Sequence, residues 1–248
     1  MTEADWVSDT ASYYKLFYNR FARDPRKRRL FGCACARRAL GLIGGEPRAA
    51  ALVAACERYA DAGADGPGCW KAVVAARKAV RQLILEYEGN PDLRTSRAVR
   101  FDYRPMTGSE GWDYRVWAAT TVYNAATDSP SKIGSAPDFY SRAIQLASER
   151  PAPPPGPLPP DDRCLPLFRD VFGNPFRPVT FSPGWRTSTA VAIARGMYES
   201  WDFSAMPILA DALQDAGCEN EDILNHCRDA SQVHVRGCWV VDLVLGKS

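Results

Sequence analysis

The sequence predicts an all-α protein, a multi-helix globule in which a proline-rich connector joins an N-terminal and a C-terminal helical part. Two observations predict it. Apolar residues recur at the spacing of one helix face along most of the chain. The stretch 151–160 contains seven prolines in ten residues, which removes backbone donors and favours an extended path. We therefore expect an N-terminal part at 1–150, a linker at 151–163 and a C-terminal part at 164–248, packed as one globule.

The composition is typical of a folded protein. The 248 residues are 46% hydrophobic and 24% charged, which excludes wholesale disorder, a collagen-like chain and a coiled coil. No apolar run reaches the roughly 18 residues that a membrane span needs. The opening residues MTEADW lack the basic and apolar regions of a signal peptide. The sequence therefore predicts a cytoplasmic protein with no membrane partner.

Helical periodicity runs through the N-terminal part. The four-residue spacing of Tyr13, Phe17 and Phe21 predicts a first helix. Further helices are predicted at about 26–43, 47–62, 70–87, 112–126 and 138–148. Glycines or an Asn-Pro pair follow the first three of these, as expected at helix ends.

The C-terminal part is predicted to hold several short helices. The first ends at Gly173, and after a proline-rich turn another is expected at 187–200. Ser204 is expected to cap the next helix and Asn220 the one after it. The last segment, 235–245, is apolar nearly all round and rich in β-branched residues. Periodicity there does not separate a helix from a strand, and we expect a helix.

Several strings of residues resemble a known family. They are MTEADW, RKRRLFGCACARRAL, LFRDVFGNPFRPV and the closing MPILADALQDAGCENEDILNHCRDASQVHVRGCWVVDLVLGK. Together they resemble an uncharacterised, conserved all-helical family abundant in planctomycete-type bacteria. The string PILADALQDAGCENEDIL is more weakly similar to the helical repeat-companion module of the same bacteria. The resemblance implies a helical fold in a bacterial protein and carries no established catalytic residue.

Charge is distributed unevenly along the chain. The first fifty residues carry ten Lys/Arg and five Asp/Glu, whereas the last forty-eight carry three and eight. Four basic residues of the predicted 26–43 helix fall within about 120° of one another: Arg26, Lys27, Arg37 and Arg38. Such a stripe can neutralise phosphates, so one interpretation is nucleic-acid binding. Because no recognition motif accompanies it, a solvated or acid-paired face is the other.

Eight cysteines in a long chain without an export signal are expected to be reduced thiols. Cysteines and both histidines cluster near the C-terminus: Cys218, His226, Cys227, His234 and Cys238. Zinc takes four such ligands, but His226 and Cys227 point about 100° apart on a helix, so both cannot ligate. The candidate metal ligands are Cys218, Cys227, His234 and Cys238, the last two sharing a face if their segment is helical. Alternatively, the cysteines pack as small apolar residues and the histidines form hydrogen bonds at helix ends.

A proline-locked loop at 172–178 gives the third candidate site. Aromatic and arginine side chains dominate protein interfaces, so Phe176, Arg177 and Trp185 are candidate contacts for another protein. Packing of the loop onto the helices is the alternative. No metalloprotease helix, hydrolase elbow or dinucleotide fingerprint occurs. We therefore predict a non-enzymatic protein-binding or accessory module without a cofactor, with nucleic-acid binding or a zinc-stabilised helical domain as alternatives.

Overall fold

A computed structural model describes residues 2–7, 24–62, 67–89, 113–127, 130–149 and 164–247. Every regular element in these ranges is a helix, so the predicted all-α class is confirmed. The predicted linker at 151–163 and the predicted helix around Phe17 lie outside the described residues. Within those ranges, no helix combines the length and the apolar character that a membrane span requires.

Contacts between Cα atoms divide the chain into two compact units. The central unit is Phe17–Cys164, and the terminal unit joins Met1–Leu16 to Leu165–Ser248. The change of unit after Cys164 falls next to the position at which the C-terminal part was expected to begin. The N-terminal segment, however, belongs to the same unit as the C-terminal part. The packing of all parts as one globule stays a prediction.

The central unit is built from long helices. They are α2 (Pro25–Leu42), α3 (Pro47–Ala62), α4 (Pro67–Glu88), α5 (Tyr114–Ala125) and α6 (Pro130–Ser148). Four of the five begin with proline, whose fixed φ suits the first helical position, where its missing N–H leaves no hydrogen bond unmade. Their apolar faces bury large side chains, among them Phe31, Leu52, Ile84 and Tyr140. Helix α5 is buried nearly all round, as expected of a helix that is enclosed by its neighbours.

The terminal unit is built from short helices. They are α1 (Glu3–Val7), α7 (Leu165–Phe172), α8 (Ser188–Ser200), α9 (Met206–Asp215), α10 (Glu221–Arg228) and α11 (Trp239–Leu245), with a 3-10 turn at Pro183–Trp185. One apolar core joins most of them and includes Met197, Leu209, Leu213, Ile223 and Val241. Isolated helices of this length are not stable in water, so tertiary contacts must hold these elements in place.

Local capping explains where some of these short helices begin. The side chain of Asn220 accepts the N–H of Ile223 at 3.0 Å, which confirms the predicted cap of α10. The prediction that Ser204 caps α9 is wrong. The helix begins at Met206, and the residue at its N-cap position is Ala205. The last helix is also shorter than predicted: it begins at Trp239, after a turn at residues 236–237. That turn positions the residues described next.

Candidate metal centre

Four side chains of the terminal unit direct their donor atoms at one another: Asp170, His226, His234 and Cys238. Asp170 lies on α7 and His226 on the last turn of α10, whereas His234 and Cys238 lie in the segment that leads into α11. One ligand atom from each residue lies within 4.8 Å of all the others. Asp170 and Cys238 are fully buried, and the histidine side chains are only 7–8% exposed. We call these residues the four-residue cluster.

The separations match those of donor atoms around one small cation. Nε2 of His226 lies 3.2 Å from Sγ of Cys238 and 3.3 Å from Oδ1 of Asp170. Nδ1 of His234 lies 2.8 Å from Oδ1 of Asp170 and 4.0 Å from Sγ of Cys238. Tetrahedral zinc, with bonds of about 2.0–2.3 Å, places its ligand atoms about 3.3–3.6 Å apart. The measured separations scatter around that range, so the cluster can hold a metal ion.

The same distances argue against a proton relay. In a relay, a histidine turns one ring nitrogen toward the carboxylate and the other toward the nucleophile. Here His226 turns the single atom Nε2 toward both Asp170 and Cys238. His234 likewise turns only Nδ1 toward both. One nitrogen cannot take a proton from the thiol while it donates one to the carboxylate, and four single atoms that face a common point are arranged as ligands.

Burial and the two histidines together set the charge of the two acidic groups in the cluster. Burial by itself raises the pKa of the Asp170 carboxyl, but the hydrogen bonds and charges of His226 and His234 outweigh it and hold that pKa below its usual value. Burial, and to a smaller extent the charge of Asp170, raises the pKa of the Cys238 thiol well above its usual value. With no ion bound, the carboxylate is therefore ionised and the thiol keeps its proton at neutral pH.

Further contacts hold the cluster in position. The second carboxylate oxygen of Asp170, Oδ2, accepts the backbone N–H of Val235 at 2.8 Å, which leaves Oδ1 directed at the histidines. The rings of His226 and His234 meet edge to face, with centroids 4.9 Å apart. The ring of Trp239 lies 5.1 Å from that of His226. Contacts of this outer kind orient the ligands in metal sites, so the donor geometry is supported from several sides.

The structure brings two of the four sequence-predicted metal ligands into the cluster. His234 and Cys238 belong to it, although the turn at residues 236–237, and not a shared helix face, brings them together. Cys218 and Cys227 lie in the apolar core, where they are 0% and 1% exposed, outside the cluster. Burial, followed by the charge of Asp170, raises the pKa of Cys227 to about 12. The thiol of Cys227 therefore packs as a small apolar group, as the alternative interpretation proposed.

Two members of the cluster were outside the predicted set. Of the adjacent residues His226 and Cys227, the first faces the cluster and the second faces the core, as expected for neighbours about 100° apart on a helix. Asp170 lies 64 residues before His234, a distance that no spacing rule for metal ligands reaches. The signal available for it was a carboxylate on the buried face of α7, between apolar residues. A buried carboxylate needs partners, and here the two histidines supply them.

The loop predicted to contact another protein makes contacts inside the terminal unit. Nε of Arg177 lies 2.5 Å from Oε1 of Glu3, and Nη1 lies 3.5 Å from Oδ1 of Asp222. Trp185 packs against the apolar core, and Phe176 is half-buried. These contacts fit the alternative in which the loop packs onto the helices. Protein binding through the three residues stays a prediction.

Helix α2 carries the predicted basic stripe of Arg26, Lys27, Arg37 and Arg38, all half-buried. Nη2 of Arg26 lies 3.0 Å from Oδ1 of Asp61 on α3. Arg37 donates two hydrogen bonds of 2.7 Å to the carboxylate of Glu57, whose side chain is only 2% exposed. A guanidinium paired in this way has less charge to offer a phosphate. Nucleic-acid binding by this stripe therefore stays a prediction that these contacts do not favour.

No protein-family model matches the chain, and neither a curated protein nor a solved structure matches it. The resemblance to a planctomycete-type family stays a prediction.

Proposed function

We propose that the terminal unit is a zinc-stabilised helical domain, in which one ion bound by the four-residue cluster has a structural role. The observation that supports this proposal is the convergence of four donor atoms within 4.8 Å, from residues on separate elements of a unit made of short helices. The ion would be held by Oδ1 of Asp170, Nε2 of His226, Nδ1 of His234 and Sγ of Cys238.

The donor set favours zinc over other common metal ions. One thiolate, two imidazoles and one carboxylate are all ligands that zinc takes in proteins. Calcium and magnesium prefer oxygen donors alone, which this cluster does not supply. The charges also suit a divalent ion, because an ionised carboxylate and a thiolate together carry two negative charges. A zinc ion would therefore make the buried cluster electrically neutral.

A closed set of four protein ligands favours a structural role. Catalytic zinc sites keep a position open for water or substrate, whereas structural sites fill all four positions with side chains. Asp170 and Cys238 are fully buried, and the histidines almost so, which leaves little access for a substrate. The ion would tie α7 to α10 and to the segment before α11. These helices have eight, eight and seven residues, and are too short to be stable alone.

The proposal predicts about one zinc per chain in protein purified without added metal. Elemental analysis measures this content, and an adjacent pair of residues gives the matched control. His226→Ala is expected to abolish zinc retention, because it removes a ligand. Cys227→Ala is expected to retain it, because this thiol lies in the core. Far less than one zinc per chain, or loss of zinc in Cys227→Ala with retention in His226→Ala, would refute the ligand assignment.

Cobalt substitution checks the thiolate separately. The cobalt-loaded protein is expected to show a thiolate-to-metal charge-transfer band that disappears in Cys238→Ser. Cys218→Ala should leave that band unchanged, since Cys218 lies outside the cluster.

Zinc binding is also expected to release protons. Burial and the Asp170 charge raise the pKa of the Cys238 thiol, so the metal-free protein holds this proton at neutral pH and the bound ion must displace it. Because at least this proton leaves, the observed zinc affinity is expected to rise at least about tenfold for each pH unit near neutrality. Titration calorimetry in buffers of different ionisation heat counts the protons. Binding with no proton released would mean that Cys238 is not a ligand.

A further inference from the structure

Helix α1 is held against α7 by two contacts near its end. Trp6 is 3% exposed, and its ring lies 5.7 Å from that of Phe168. The guanidinium of Arg169 donates two hydrogen bonds to the carbonyl oxygen of Trp6, from Nη2 at 2.7 Å and from Nε at 3.1 Å. A cation at this position is favourable, because the carbonyl groups in the last turn of a helix carry partial negative charge. Residues of α7 thus bind both the side chain and the backbone of α1.

The first turn of α1 is held by the loop after α7. Oε1 of Glu3 accepts a hydrogen bond of 3.0 Å from Nδ2 of Asn174 and lies 2.5 Å from Nε of Arg177. The same guanidinium reaches Asp222 in the first turn of α10. Arg177 therefore connects α1 to α10, while Asn174 connects it to the loop that follows α7.

The cluster connects α7, which holds α1 directly, to α10, which reaches α1 only through Arg177. Arg169 is the residue before Asp170 on α7, and Asp222 lies one helical turn before His226 on α10. An ion bound to Asp170 and His226 would fix the position of α7 relative to α10. The contact of Arg177 with Glu3 depends on that relative position, because the same guanidinium is paired with Asp222 of α10.

We propose that α1 is a metal-dependent strap, whose docking on α7 and on Arg177 in the loop after it is thermodynamically linked to zinc binding at the cluster. This inference rests on the proposed zinc site. Linkage is reciprocal, so zinc favours docked α1 and docked α1 raises the affinity for zinc by the same factor. The surface recognises a short helix that carries a carboxylate and, three residues later, a tryptophan, and Glu3 and Trp6 of this chain supply them.

The test uses full-length protein in which the four ligands are intact. Trp6→Ala is expected to raise the dissociation constant of zinc about tenfold, within the usual range of coupling between two sites. Competition with a chelator of known affinity measures it. Glu3→Gln, which does not disturb the core, is the second variant and is expected to raise the constant by a smaller factor. Ala4→Ser changes an exposed residue of the same helix and is expected to have no effect.

Hydrogen exchange measures the other direction of the linkage. Chelation of zinc is expected to speed exchange of the α1 amides in the wild type, to the rate seen in zinc-loaded Trp6→Ala. A change of less than twofold in zinc affinity, in a Trp6→Ala protein whose α1 amides exchange faster, would overturn the linkage and leave the zinc site standing. A chain that retains no zinc would overturn both.

Discussion

Removal of the ion by a chelator is expected to lower the free energy of unfolding of the terminal unit by about 4 kcal/mol, relative to protein in which free zinc exceeds the dissociation constant a thousandfold. An ion that binds only the folded state stabilises it by this amount through mass action alone. The metal-free state also keeps a fully buried carboxylate at Asp170 and a fully buried thiol at Cys238. The short helices α7, α10 and α11 would then depend on the apolar core and on the remaining hydrogen bonds and ion pairs.

The measurement is denaturant unfolding with and without chelator, followed by hydrogen exchange of amides in Leu165–Ser248. Cys238→Ser is expected to show the lower stability in both conditions, because the ligand is already missing. Cys218→Ala gives the control: it removes a buried thiol outside the cluster, so its stability should still fall on chelation. Equal stability of the wild type with and without bound zinc would contradict a structural role for the ion.

Helix positions in the central unit could be predicted because their signals are local. The predictions of 26–43 and 47–62 agree with α2 and α3 within about a residue at each end, since periodicity and flanking Pro or Gly mark those ends. The start of α6 was predicted near residue 138, but this helix begins at Pro130. Pro137 lies inside it, and a proline in a helix interior is normally expected to break the helix. In the structure, the buried residues Ile133 and Tyr140 hold the helix together on both sides of that proline.

The candidate metal site could be predicted only in part, because its geometry is tertiary. His234 and Cys238 are close in sequence, and their side-chain types and four-residue spacing marked them as ligands. Asp170 comes from another helix, and an aspartate is too common on helix surfaces to be singled out without knowledge of burial. Of the adjacent pair, Cys227 was named as the ligand, whereas His226 is the one that belongs to the cluster. The orientation of α10, which the apolar core sets, decides which of the two faces the cluster.

The docking of α1 lies beyond sequence reasoning for the same reason. Arg177 was singled out as an arginine in a rigid loop beside an aromatic residue, a combination typical of protein interfaces. Its contacts in the structure are Glu3 and Asp222 of the same unit. A sequence shows that a side chain is suited to an ion pair, but the fold decides which carboxylate is within reach.

Gly173→Ala is expected to destabilise the terminal unit by about 2–4 kcal/mol, from backbone strain and from overpacking together. Gly173 ends α7 with φ +64°, a left-handed conformation that side chains other than glycine disfavour. A Cβ atom at this position would also lie 3.1 Å from Cγ and 3.2 Å from Cδ2 of the Trp239 ring. Because Trp239 follows Cys238 and packs against the ring of His226, the displaced ring is expected to weaken zinc binding as well.

Gly217→Ala separates the two effects. Gly217 has φ +83°, but a Cβ atom there would meet nothing within 4 Å, so only the backbone strain of about 1 kcal/mol is expected. Denaturant unfolding and zinc competition on the two variants give the comparison. The difference between them, about 1–3 kcal/mol, measures the contact with Trp239, since both replace a left-handed glycine by the same residue. Equal losses of stability, together with unchanged zinc affinity in Gly173→Ala, would show that the Trp239 ring yields without disturbing His226 or Cys238.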